Sequence, residues 1–83
     1  MANRSEENKN LIHKERKIFA SNLKKARLDA GLTQEGLVRR TNLTQAFISG
    51  IETCKTNPSM DNASRLAKAV GKTLRDLLDP QKN

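Results

Sequence analysis

Between Thr33 and Glu52 the sequence gives one local instruction twice. A threonine able to cap a helix precedes a short stretch of helical apolar spacing: Thr33 before Gln34–Arg40, and Thr44 before Gln45–Glu52. The threonine hydroxyl accepts one of the backbone N–H groups that a first helical turn leaves without a partner. Leu37 and Val38 point inward from the first stretch, and Ile48 and Ile51 from the second. Asn42 lies between them, and asparagine tolerates the left-handed backbone of a tight turn better than most residues. Leu43 and Ile48 stand at the two positions of a hydrophobic staple around the second cap. Two short capped helices separated by a tight turn form a helix-turn-helix arrangement.

The flanking sequence continues in the same style. Phe19, Leu23, Ala26 and Ala30 recur at helical spacing and form one face, which Gly31 closes. That helix is compatible with a start as early as Leu11, although His13–Lys17 is polar throughout. After the polar loop Thr53–Pro58, Ser59 caps a longer helix with the apolar set Met60, Ala63, Leu66, Ala67 and Val70, closed by Gly71. Thr73 and Asp76 have the spacing of a capping box before a last short helix bearing Leu74, Leu77 and Leu78. Pro80 ends the order. The expectation is an all-α, five-helix domain over residues 11–79, with polar tails at 1–10 and 80–83.

Composition removes most other classes. With 83 residues the chain has room for one domain, and a domain this small buries only roughly 60% of its unfolded surface. Cys54 has no cysteine partner within the chain, and with His13 it cannot complete a tetrahedral zinc site, so neither metal nor cofactor is expected. No apolar run approaches the roughly 20 residues that span a bilayer, nor does Met1–Asn10 resemble a secretion signal. No membrane partner is expected, and the expected location is the cytoplasm. Paired catalytic residues and a glycine-rich phosphate loop are both missing, which argues against an enzyme. The balance of 16 Lys and Arg against 9 Asp and Glu leaves a net charge of +7, which points to a polyanionic partner. Phe19 and Phe47 are the only aromatics, too few for a platform that stacks single-stranded bases.

On the second helix of the pair, Ile48 and Ile51 face the core while Gln45, Ala46, Ser49 and Gly50 cover the opposite arc. That arc is small and uncharged, which suits close approach to another surface better than simple solvation. In a helix-turn-helix the second helix enters the major groove and offers its N-terminal residues to base edges.

The residue string from Arg27 through Gly31-Leu32-Thr33-Gln34-Glu35 and Leu37, then Ile48-Ser49-Gly50-Ile51-Glu52, Asn57-Pro58-Ser59 and Leu66-Ala67-Lys68-Ala69 resembles the lambda repressor/Cro, or XRE, family. Gln45–Glu52 also resembles the recognition helix of restriction–modification controller proteins. The resemblance covers Phe19 to Asp79 and implies a compact five-helix, lambda-repressor-like domain that binds double-stranded DNA. It further implies that Gln45 reads adenine through its amide, that Ala46 meets a thymine methyl, and that Ser49 bonds a base or a phosphate. Gln34 and Thr44 fall at helix N-termini that favour phosphate oxygens. Lys55, Thr56 and Asn57 match a loop that contacts the DNA backbone. Arg27 and Glu52 match a structural ion pair between the first and third helices.

The chain departs from the family pattern in several places. Val38 stands for the usual Ala, Gly36 for Glu, Asn42 for the turn glycine, and Phe47 for a Tyr frequent in controllers. Cys54 stands where glycine is common, which pushes it toward positive φ. Phe47 is placed at the edge of the apolar arc, serving packing or DNA contact. Lys14–Lys17 reads as a solvated face, with a DNA-contacting arm as the rival reading.

Leu74, Leu77 and Leu78 are more apolar surface than a short terminal helix hides, so they are expected to form a homodimer interface. A two-fold dimer would set its recognition helices roughly 34 Å apart on a palindromic site. The expected function is sequence-specific transcription regulation. The alternative is an antitoxin-type module that neutralises a protein partner and controls its own promoter, with Met1–Lys17 as the segment involved.

Overall fold

The computed structural model describes residues 13–80. Its helices are α1 (Lys14–Asp29), α2 (Gln34–Thr41), α3 (Gln45–Glu52), α4 (Met60–Ala69) and α5 (Leu74–Leu77), with no strand among the described residues. The expected tail at 1–10 and the proposed helix start at Leu11 lie outside them, as do residues 81–83.

The caps form where the sequence puts them. Thr33, Thr44, Ser59 and Thr73 each accept a hydrogen bond from the backbone N–H three residues on. Thr73 and Asp76 complete the reciprocal capping box. Such bonds cost little to form because they join atoms already close in the chain.

Three helices end in one motif. Past α1, Gly31 N–H donates to Leu28 and Leu32 N–H to Arg27; past α4, Gly71 N–H donates to Lys68 and Lys72 N–H to Ala67. Past α3, Cys54 N–H donates to Ile51 and Lys55 N–H to Gly50. Each is a Schellman closure, which needs a left-handed residue just beyond the cap. Gly31 and Gly71 supply it at φ 71 and 77, and Cys54 supplies it at φ 62. Outside glycine this conformation costs roughly 1–2 kcal/mol, so the surroundings of Cys54 must hold it there. Asn42 takes the same region at φ 63 in the turn between α2 and α3. Thr41 braces that turn, with its hydroxyl donating to Leu37 C=O and accepting from Leu43 N–H.

Leu23, Leu37, Ile48, Ile51 and Leu66 are fully buried where α1–α4 meet, each worth roughly 1.5–3 kcal/mol of burial. α3 packs between α1 and α2, while α4 joins α2 to α5. The half-buried Leu43, Phe47 and Val38 lie against this core. Asn22, which no sequence pattern marks, is buried on α1 and donates from Nδ2 to the carbonyls of Leu77 and Asp79. It docks the C-terminal helix.

Three assignments made from sequence need correction. Met60 belongs to the apolar set of α4 by spacing but is 78% exposed, because it occupies the first helical position, outside the packed stripe. Leu77 is 2% exposed and belongs to the protein's own core, so it offers nothing to a partner. Arg16 is half-buried rather than part of a solvated face, and its Nη2 donates to Cys54 C=O across 3.2 Å.

Candidate nucleic-acid interface

The position of α3 follows from its rear face. Ile48 and Ile51 are inserted in the core, which turns the opposite arc outward. Gln45 and Ala46 are exposed at its first two positions, and Ser49 is half-exposed one turn further on. Thr44 spends its hydroxyl on Phe47 N–H. The N–H groups of Gln45 and Ala46 have no carbonyl one turn back within the helix and point out of the same end.

The other end of α3 is held by charge. Arg27 donates through Nε and Nη2 to the two oxygens of Glu52, at 2.7 and 3.1 Å. Arg27 Nη1 donates to Leu32 C=O at 2.8 Å, and Gln34 Nε2 donates to Glu52 Oε1 at 3.1 Å. The pair is almost fully enclosed, with side chains 8% and 3% exposed. Four bonds thus join α1, Leu32 in the connection after it, the first residue of α2 and the last turn of α3 in one network. Gln34, expected at a phosphate, directs one of its two amide N–H groups at Glu52.

Beyond α3 the chain folds back over the helix it has left. Lys55 N–H and Thr56 N–H both donate to Gly50 C=O, at 2.8 and 3.1 Å. Thr56 lies directly on Gly50: a Cβ at position 50 would collide with its Oγ1 and stand 3.0 Å from its Cβ. Gly50 is therefore covered by the loop and does not belong to the outward arc where its wheel position put it. The residue matters because it lacks a side chain, which the local pattern does not announce. Lys55 and Asn57 are exposed on the same loop and Thr56 is half-buried.

Among the described residues no cluster of His, Cys, Asp or Glu could hold a metal ion. Nor is any helix there long and apolar enough to cross a membrane.

A B-form major groove is wide enough for one helix presented by its N-terminal end, and a capped helix supported from behind by a second is the device that makes this presentation. The protein is of the class of DNA-binding transcription regulators. Residues 23–77 match the helix-turn-helix family model, and the chain belongs to that family. It is 34% identical over 65 residues to an uncharacterised helix-turn-helix transcriptional regulator of Sinorhizobium fredii, covering 78% of this chain and 84% of that one. It is 35% identical over 65 residues to the control protein C.BamHI of Bacillus amyloliquefaciens, covering 77% and 80%. The fold is similar to the restriction–modification controller protein C.AhdI from Aeromonas hydrophila, with a TM-score of 0.72, 29% identity, and 78% and 98% of the two chains covered.

Proposed function

We propose that the protein is a homodimeric, sequence-specific regulator of the controller kind that binds a palindromic operator, with one α3 in the major groove of each half-site. The observation that carries the reading is the exposure of Gln45 and Ala46 at the start of a helix whose Ile48 and Ile51 are buried. Gln45 reads a base, its amide matching the N6 and N7 edge of adenine. Ala46 lies against a thymine methyl, and Ser49 bonds a base or a phosphate. Thr44 and the N-terminus of α3 approach one phosphate, and Lys55, Thr56 and Asn57 approach another. Phe47, half-buried, borders the groove-facing side. Gln34 gives one amide N–H to Glu52 and has a second that can donate to a phosphate oxygen.

The dimer face we assign is the part of an apolar groove of about 210 Å³ formed by α1, α4 and α5, lined by Phe19, Met60, Leu74 and Leu78; the loop with Thr56 and Asn57 forms its other edge. Leu78 is 38% exposed and Met60 twice that, and apolar surface of this kind on so small a domain favours a second copy as cover. Selection of bound duplexes from a random library tests the whole reading. Recovered sites should share a two-fold symmetric motif with half-sites about one helical turn apart. Recovery of an asymmetric motif, or of no motif, would refute it.

A further inference from the structure

The loop assigned above to the DNA backbone is fastened at two points, and one of them lies far away in sequence. At the first, Gly50 C=O takes both Lys55 N–H and Thr56 N–H. At the second, Arg16 from the first turn of α1 donates Nη2 to Cys54 C=O at 3.2 Å, while Cys54 Sγ lies 3.8 Å from Arg16 C=O. Cys54 is also the one residue at a Schellman closure that holds a left-handed backbone without being glycine. A residue kept in that region must be held by its surroundings. The Arg16 guanidinium supplies that hold at the carbonyl immediately before Lys55.

We propose that Arg16 is a positioning residue for DNA binding: by holding the Cys54 carbonyl it fixes the left-handed turn that aims Lys55, Thr56 and Asn57 at a phosphate. The inference rests on the reading of that loop as a backbone contact. Arg16 does not itself touch DNA. Only Nη2 is engaged at Cys54, so the remaining N–H groups of the guanidinium could also reach a phosphate, and the two roles are told apart by their consequences.

The test is a double-variant cycle on the full chain, using a duplex that carries the selected operator and an unrelated duplex of equal length. Arg16→Met keeps the stem that lines the apolar groove and removes every donor. Circular dichroism confirms that each variant is folded before binding is measured. Each phosphate contact contributes about 0.9 to the slope of log affinity against log salt. Arg16→Met and Lys55→Ala should each reduce that slope by about 0.9 and weaken both duplexes about tenfold. Combining them should reduce the slope no further, because the second change removes a contact the first has already lost. In the free protein, ¹⁵N relaxation should report greater mobility at Lys55, Thr56 and Asn57 in Arg16→Met, with α3 unchanged.

A double variant whose slope falls by about 1.8 would mean that Arg16 and Lys55 contact separate phosphates, and would overturn the proposal while leaving the loop assignment standing. Unchanged loop relaxation in Arg16→Met would overturn it as well. A normal slope in Lys55→Ala alone would remove the loop from the interface and overturn both readings. If Arg16→Met does not fold, Arg16→Lys takes its place. Its single ammonium cannot reproduce the planar fork, and partial loop order with partial loss of slope is then expected.

Discussion

Arg27 and Glu52 lie 25 residues apart in sequence and meet in two nearly parallel hydrogen bonds, 2.7 and 3.1 Å long, inside a network that also takes in Leu32 and Gln34. The geometry is that of the guanidinium–carboxylate fork, which fixes orientation as well as distance. It ties the C-terminal end of α3 to α1, while Ile48 and Ile51 hold its middle. α3 is thus anchored along its length by the rest of the domain, although at 8 residues it would not persist alone.

Removing one partner leaves the other charge enclosed without compensation. Glu52→Ala should therefore lower the unfolding free energy by about 3 kcal/mol, read from urea denaturation. Replacing both residues by methionine should recover most of that loss, since a well-packed apolar pair avoids burying a charge. A single-variant loss below about 1 kcal/mol would show that the pair sets orientation without supporting stability.

Gly50→Ala sets two effects against each other. Alanine gains about 1 kcal/mol of helix propensity over glycine. The new methyl group would collide with Thr56 Oγ1 near its point of attachment to the backbone, and overpacking of this kind costs about 1–3 kcal/mol. The collision should win, lowering Tm by about 5 °C in a thermal melt and loosening the loop over α3. DNA affinity should fall with it, uniformly across sequences.

Gln45→Ala should behave differently. It removes a base contact and no packing, so Tm should stay within about 2 °C of the parent, as for other exposed substitutions. Binding titrations on single-base operator variants should show discrimination relaxed by about 1–3 kcal/mol at one position per half-site. Equal weakening at all positions would instead identify Gln45 as a backbone contact.

Leu78→Glu places a charge in the apolar groove on the face assigned to the second copy. Sedimentation at micromolar concentration should give a monomer with unchanged helix content, and operator binding should lose its two-fold cooperativity. Leu77→Glu should unfold the domain, because that side chain is already buried in the core. A dimer that survives Leu78→Glu would move the interface elsewhere.

The comparison of sequence with structure divides by the range of the interactions. Thr33, Thr44, Ser59, Thr73, Gly31 and Gly71 were legible as helix boundaries because a cap bond spans about three residues, and the residue at the cap nearly determines it. The inward set Leu23, Leu37, Ile48, Ile51 and Leu66 was legible from helical spacing alone. The displaced Gly50, the half-buried Arg16 and the buried Asn22 were not, since each is defined by a partner from another part of the chain: Thr56 folding back, Cys54 38 residues away, and Leu77 55 residues away.

The same division separates α3 from its setting. Local sequence determined that residues 45–52 form a helix with an apolar back and an uncharged front, because backbone hydrogen bonding and side-chain periodicity act over one or two turns. Only the tertiary structure decided that Met60 faces solvent, that Leu77 belongs to the core while Leu78 does not, and that Gln34 turns toward Glu52. Those outcomes depend on which surfaces meet when the helices close on one another, and contact between distant segments is a property of the packed chain rather than of any window along it.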